Sequence, residues 1–421
     1  MIATRQRSLK TVGQTSALRE WVARQRPGWS LEQPFYTSEE IYDLERRGWL
    51  AGQWYLLAHR SEVAESGSFI VREVLGESLI IARDSEGTLR GFYNVCRHRG
   101  SRICDADGHA AKGFTCPYHA WSYRLDGTFR AAAALPQGID TRQLGLQAVP
   151  VREMGGMVFA SLKGDLRHLE AVQPVLEPGL RYHGIPEARI AARRSYPIHA
   201  NWKLVMENFL ECYHCFPAHP EFCSVMRQAE VIGRVPADGG EAWQREVQTW
   251  FKEEADPDSP LSIRPDFPDA YSAGRFPIGK GRKTQSRDGE PVAPLMGRLQ
   301  RFDGGVSGFR LEPFIYVMAS NDHAVMFQIL PTGAERTDVI LSWLVNASVS
   351  AAEVDVERMI WLWDVTTTQD KVIIERNAAG VRSRAYAPGP YSTLESATAR
   401  LVGRYLQGIS AGDSISGHAE Q

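Results

Sequence analysis

Short runs of apolar and β-branched residues, broken by Gly, Ser and Asp, begin at Trp54. WYLLAH, SFIVREV, SLIIARD and LRGFYNV follow one another with turn residues between them, and each predicts a strand. AWSYRL runs into the tight-turn pair Asp126-Gly127, and GMVFASL over residues 156–162 predicts a further strand. Helical periodicity appears over Asn201–Tyr213, with Pro217 stopping the run. Residues 225–312 are rich in Gly, Pro, Asp and Arg, so loops and a partly ordered excursion are expected there. Three strands follow, PFIYVMAS, HAVMFQILP and DVILSWLVN. A long helix is predicted from Ala351 to Asn377, and LESATARLVGRYL predicts a closing one. The fold class is α+β. A small all-β domain at residues 51–155 is inserted in a larger α+β domain built from 1–50 and 156–421. The larger domain carries an antiparallel sheet and a long C-terminal helix.

Composition narrows the function more than the fold. The 421 residues carry a formal charge of −2, which leaves no basic footprint for nucleic acid. No run approaches the ~18 apolar residues of a membrane-spanning helix, and the first twenty residues lack the apolar core of a secretory leader. A reducing, cytoplasmic setting is expected. The six cysteines fall in two groups, Cys96, Cys104 and Cys116, then Cys212, Cys215 and Cys223. In a reducing compartment such groups suggest metal before disulfides.

The first group supplies the strongest motif. Cys96-Arg97-His98 is followed after 17 residues by Cys116-Pro117-Tyr118-His119. Two thiolates and two imidazoles suit zinc or an iron–sulfur cluster. Each segment brings one Cys and one His, which fits a cluster with both sulfurs on one iron and both imidazoles on the other. CRHRGSRIC and CPYHAWSY resemble the two ligand loops of Rieske [2Fe–2S] domains, which makes Cys96, His98, Cys116 and His119 the expected cluster ligands. Ser101 and Tyr118 stand where the respiratory type carries extra cysteines, so the resemblance is to the oxygenase and ferredoxin type. Cys104 is expected to be a buried thiol. Arg97 and Arg99 suit either solvent or partner docking.

The second group lies in NWKLVMENFLECYHCFPAHPEF. His214 and His219 are five residues apart, about 140° around a continuous helix, and Pro217 lets His219 turn back. Two histidines plus a carboxylate make a ligand set for non-haem iron. Together with the first motif, the chain resembles the large subunit of Rieske non-haem iron oxygenases over nearly its whole length. The resemblance implies that His214 and His219 hold a mononuclear Fe(II), with an aspartate on the long C-terminal helix as third ligand. Asp370 fits that place, because it interrupts an apolar stripe made by Met359, Trp363, Thr366, Thr367, Ile373 and Ile374. Asp364, on a face with Thr368 and Lys371, is the weaker candidate. Cys212 and Cys215 are expected to be two thiols.

Most members of the family have an aspartate three residues before the first iron histidine, where this chain has Glu211. Glutamate there, with SLEQPFYTSEEIY and PGPYS, resembles the branch acting on quaternary ammonium compounds such as betaines and carnitine. The alternative is an aromatic-ring hydroxylating dioxygenase large subunit. The resemblance implies O2 as co-substrate and electrons from NADH through a separate flavin/iron–sulfur reductase. It also implies a homotrimer in which Glu211 links one subunit's iron histidine to the next subunit's Rieske histidine. Trp243, Trp250, Phe309, Tyr316 and Phe327 are candidate walls for an ammonium group.

Overall fold

The computed structural model describes residues 18–263 and 270–415, with side chains described through residue 410. The N-terminal β region is built from three small sheets. Strands β2 (Ser68–Val74), β3 (Glu77–Arg83), β4 (Leu89–Tyr93) and β5 (Gly108–His109) form one, in the order β4-β3-β2-β5. Strands β6 (Phe114–Thr115), β7 (Ser122–Tyr123) and β8 (Phe129–Ala131) form the second. The third pairs β1 (Tyr55–His59) with β10 (Met157–Ala160), and β10 with β9 (Val151–Met154). Every strand predicted in this region is present.

The larger region is organised on one antiparallel six-stranded sheet. Its strands are β11 (Ala188–Ile198), β12 (Tyr271–Pro277), β13 (Gly305–Leu311), β14 (Ile315–Ala319), β15 (Ala324–Gly333) and β16 (Arg336–Asn346), ordered β11-β16-β15-β14-β13-β12. Both faces are covered, and alternate residues serve different cores. Tyr316, Met318, Val325, Phe327, Leu341 and Trp343 face the core shared with the long C-terminal helix. Ile315, Val317, Ala324, Met326 and Leu344 face a second core against the helix Leu166–Tyr182.

Helices α1 (Glu39–Arg47), α2 (Leu166–Tyr182), α3 (Trp202–Phe209), α4 (Cys215–Ala218), α5 (Pro220–Val225), α6 (Arg227–Gly233), α7 (Glu241–Glu253), α8 (Val356–Val381) and α9 (Ser396–Ile415) complete the chain. Two expectations are corrected. The stretch 225–312 holds α6, α7, β12 and β13 as well as the expected loops, so it is more regular than its composition predicts. β12 and β13 are buried on both faces, so their residues do not alternate in polarity. The helix expected over Asn201–Tyr213 ends at Phe209, and the reason lies in the site itself.

Candidate metal centres

The two Cys–His loops are built alike. In the first, the Cys96 N–H donates to the Ser101 carbonyl and the Gly100 N–H to the Cys96 carbonyl. In the second, Cys116 pairs with Trp121 and Ala120 in the same pattern. Gly100 and Ala120 close the turns with φ of 76° and 54°, the left-handed region, where Ala120 is strained and Gly100 is not. Asn94 holds the first loop from below: its amide donates to the Cys104 carbonyl at 2.6 Å and accepts from the Ile103 N–H at 2.9 Å.

This construction buries the sulfurs and exposes the imidazoles. Cys96 and Cys116 are free and buried, while His98 and His119 stand at the surface with ring centroids 4.7 Å apart. Trp121 stacks on His98 at 4.7 Å. The Tyr123 hydroxyl accepts from the Arg97 N–H at 3.0 Å and lies 3.1 Å from Cys96 Sγ, so its own proton is free to point at the sulfur. Burial opposes ionisation of Cys116. Bonds from the Tyr118 N–H, the Cys96 side chain, the His119 N–H and Ser101 outweigh it and hold the thiol below its ordinary value. Sulfurs are thus paired with sulfur and imidazole with imidazole, an arrangement that fits a two-iron cluster. Cys104 is half-buried and free, with burial first among the causes that push it up to about 11.

Asn201 caps α3 by accepting from the Lys203 N–H. Lys203 in turn pairs with Glu45 at 2.7 Å, both side chains almost fully buried. α3 stops because the Glu211 carboxylate accepts from the backbone N–H groups of Tyr213 and His214, which winds the chain into a turn. Glu211 therefore sits in a loop rather than in the helix predicted over Asn201–Tyr213. Its Oε1 lies 2.5 Å from His214 Nδ1. Cys212 and Cys215 are joined as a disulfide across this turn, which corrects the reading of two thiols; the turn brings their Cα atoms to 4.9 Å. His214 stands at the N-terminal end of α4 without a side-chain capping bond, and His219 occupies the joint between α4 and α5.

Asp370 meets these histidines from α8. Its Oδ1 lies 3.0 Å from His219 Nε2 and 3.4 Å from His214 Nε2. His214, His219 and Asp370 offer three donor atoms within 4.8 Å of one another, which fits a single ion with three protein ligands. Burial raises Asp370, but the two imidazoles hold its carboxyl below the ordinary range. Burial also opposes charge on His214, yet Asp370 and Glu211 raise its pKa to about 9. Asp364 is elsewhere, accepting from the Tyr196 hydroxyl at 2.5 Å.

A line of aromatic rings leads away from the triad: Phe222 is 6.3 Å from His219, Trp363 5.3 Å from Phe222 and Phe327 5.0 Å from Trp363. Phe209 lies 6.2 Å from Phe327 and 6.3 Å from Tyr316. Of the five aromatic residues singled out from the sequence, Tyr316 and Phe327 belong to this wall. Phe309 belongs to the opposite core, and Trp250 on α7 donates to the Asp303 carbonyl. Phe209, Phe222, Gln369 and Glu221 were not singled out, and Trp363 was named only as part of the stripe around Asp370. For Phe209 the signal was present, since it adjoins the Glu211 motif.

The comparisons with known proteins match the two regions that carry these residues. A Rieske [2Fe-2S] domain model matches residues 53–150, and a model for the ring hydroxylating alpha subunit catalytic domain matches 186–410. The chain is 34% identical to the glycine betaine monooxygenase oxygenase subunit of Chromohalobacter salexigens over 376 residues, 88% of this chain and 83% of that one. It is 37% identical to the carnitine monooxygenase oxygenase subunit of Escherichia coli over 207 residues, 48% of this chain and 54% of that one. A solved quaternary ammonium Rieske monooxygenase shares the fold with a TM-score of 0.70 at 23% identity, over 93% of this chain and 98% of that one. No helix among the described residues is long and apolar enough to cross a membrane. From its two matched domains and its relatives, the chain belongs to the Rieske non-haem iron oxygenases, as an oxygenase (alpha) subunit.

Proposed function

We propose that this monooxygenase subunit hydroxylates an N-methyl group, or the carbon beside it, of a small quaternary ammonium compound such as a betaine or carnitine. A hydroxylated N-methyl group releases formaldehyde and leaves the demethylated amine. The observation that carries the substrate class is the 34% identity to a glycine betaine monooxygenase subunit across 88% of the chain. Glu211 beside His214 supports it.

Cys96, Cys116, His98 and His119 would hold the cluster, and His214, His219 and Asp370 the mononuclear iron. When bound, the cluster relays single electrons and the iron supplies O2 activation at its open positions. The protein's own share is orientation and exclusion of water. Glu211 accepts at His214 Nδ1, which leaves Nε2 facing Asp370. Phe209, Tyr316, Phe327 and Trp363 form one connected group of aromatic rings, the kind of side chain that binds an ammonium head.

Electrons are proposed to start at NADH and arrive through a separate flavin/iron–sulfur reductase, in the cytoplasm. A homotrimer is the proposed assembly. Val95 and Tyr118 are exposed beside the cluster loops, and Tyr213 and Phe216 beside the Glu211 turn. A head-to-tail ring covers the first patch of one subunit with the second patch of the next. Each Glu211 oxygen has two lone pairs, so a bond to the next subunit's His119 is compatible with those made inside the chain.

The test is a substrate panel with a generic reductase, following O2 uptake and formaldehyde together. Betaines or carnitine are expected to yield both. Hydroxylation of aromatic hydrocarbons, with no formaldehyde from any quaternary ammonium compound, would favour a ring-hydroxylating dioxygenase instead. Mixing subunits that lack Cys96 with subunits that lack His214 is expected to restore partial turnover if electrons cross between subunits.

A further inference from the structure

Gln369 immediately precedes Asp370 on α8, and the two side chains hold one imidazole from opposite edges. Asp370 Oδ1 lies 3.0 Å from His219 Nε2. Gln369 Oε1 lies 2.9 Å from His219 Nδ1. At its other end, the Gln369 amide nitrogen donates to Glu221 Oε2 at 2.7 Å.

The polarity of this chain of bonds follows from what each group is able to do. An ionised carboxylate only accepts, so Glu221 takes the NH2 end of the Gln369 amide. The amide oxygen then faces His219, and an amide oxygen also only accepts. Nδ1 of His219 must therefore carry a proton, and Nε2 is the nitrogen left to give up its proton to a metal. Turning the amide over would set its oxygen against the Glu221 carboxylate and its NH2 against Nδ1. The ring proton would then sit on Nε2, where the ligand lone pair is needed.

We propose that Glu221, acting through Gln369, is the positioning residue that selects the metal-binding tautomer of His219. The inference rests on the reading that His214, His219 and Asp370 hold the iron. Segment 219–221 thereby supplies both a ligand and the carboxylate that sets its tautomer, through an amide on a helix some 150 residues away. It also makes the two iron histidines unlike. His214 Nδ1 faces the Glu211 carboxylate directly, whereas His219 Nδ1 faces a neutral amide. An anionic partner raises ligand basicity more than a neutral one, so His214 is the stronger donor of the pair.

The experiment uses the full chain with its Rieske cluster loaded and the mononuclear iron removed, titrated anaerobically with Fe(II) against a competing chelator. The visible Rieske spectrum reports folding in each variant. Gln369→Leu keeps the bulk and removes the acceptor, and is expected to weaken Fe(II) binding by roughly 10- to 100-fold. The decisive variant exchanges the pair, Glu221→Gln with Gln369→Glu. The carboxylate then accepts from His219 Nδ1–H and from the new amide, so the acceptor at His219 returns with the chain otherwise inverted. Since a carboxylate then faces Nδ1, Fe(II) affinity is expected to recover to the parental value or above it, which a purely structural tie between α5 and α8 does not require. Parental affinity in Gln369→Leu overturns the proposal. So does an exchanged pair that binds as weakly as Gln369→Leu while its Rieske spectrum is intact. If the parent binds no Fe(II) that His219→Ala abolishes, the iron reading itself fails. The substrate class can fail without touching any of these results.

Discussion

On the proposed reading, iron entering the His214–His219–Asp370 triad would compete with a proton. In the metal-free protein burial disfavours charge on His214, but Asp370 and Glu211 overcome it and raise the pKa to about 9. At pH 7 the ring is protonated, and displacing that proton costs about 3 kcal/mol, roughly 100-fold in affinity. Apparent Fe(II) affinity is therefore expected to climb about tenfold per pH unit on the acid side of 9 and to level off near 9. Glu211→Gln keeps the shape of the side chain and removes its charge, so the levelling point should fall by about one to two pH units. Metal-free stability runs in the opposite direction. A histidine raised from 6.5 to about 9 adds stability that is complete below 6.5 and lost as pH rises through about 9. The metal-free protein should thus melt at lower temperature across that window while iron binds more tightly. Chelator competition at several pH values, with thermal melts of the metal-free form alongside, measures both trends. Fe(II) affinity that stays flat between pH 6.5 and 8.5, or a Glu211→Gln profile superimposed on the parent's, would refute the reasoning.

Asp370→Ala should leave the Rieske spectrum intact and abolish turnover. Asp364→Ala should remain active and lose about 1 kcal/mol with its bond from Tyr196, read by denaturant melts; the reverse pattern would unseat Asp370. Glu207 is half-buried, and desolvation raises its carboxyl to about 7 despite the bond from Tyr36. Stability is complete below its ordinary value of 4.5 and falls as pH rises through about 7. Glu207→Gln should therefore raise the melting temperature above the parent's at pH 8 and not at pH 5; equal shifts at both would falsify this.

The Rieske loops were legible because their chemistry is local. Each brings its Cys and His within four residues, and the repeated turn needs no distant partner. Asp370 was legible for another reason: one carboxylate in an apolar stripe at helical spacing has few places to go, and it is 7% exposed against α8's neighbours. The end of α3 was not legible. Nothing between Met206 and Tyr213 breaks a helix by propensity, and the turn forms because the Glu211 side chain outcompetes the helical backbone for two N–H groups. β12 and β13 escaped because a strand buried on both faces loses the period-two signal. Gln369 and Glu221 were invisible because their partnership exists only in tertiary contact.

The six-stranded sheet has an evolutionary consequence. Along β14 to β16, residues 316, 318, 325, 327, 341 and 343 belong to the core shared with α8, whereas 315, 317, 324, 326 and 344 belong to the core under α2. On the proposed reading, the wall near the triad and the seat of the sheet are thus encoded in alternate letters of the same short words. Point substitutions at the first set are able to reshape the wall while the second set keeps the sheet seated. A one-residue insertion or deletion within a strand exchanges the two sets at a stroke. Divergence in this lineage is then expected to proceed by substitution inside these strands and to confine length changes to the turns between them, and a library built to change substrate needs only every second position.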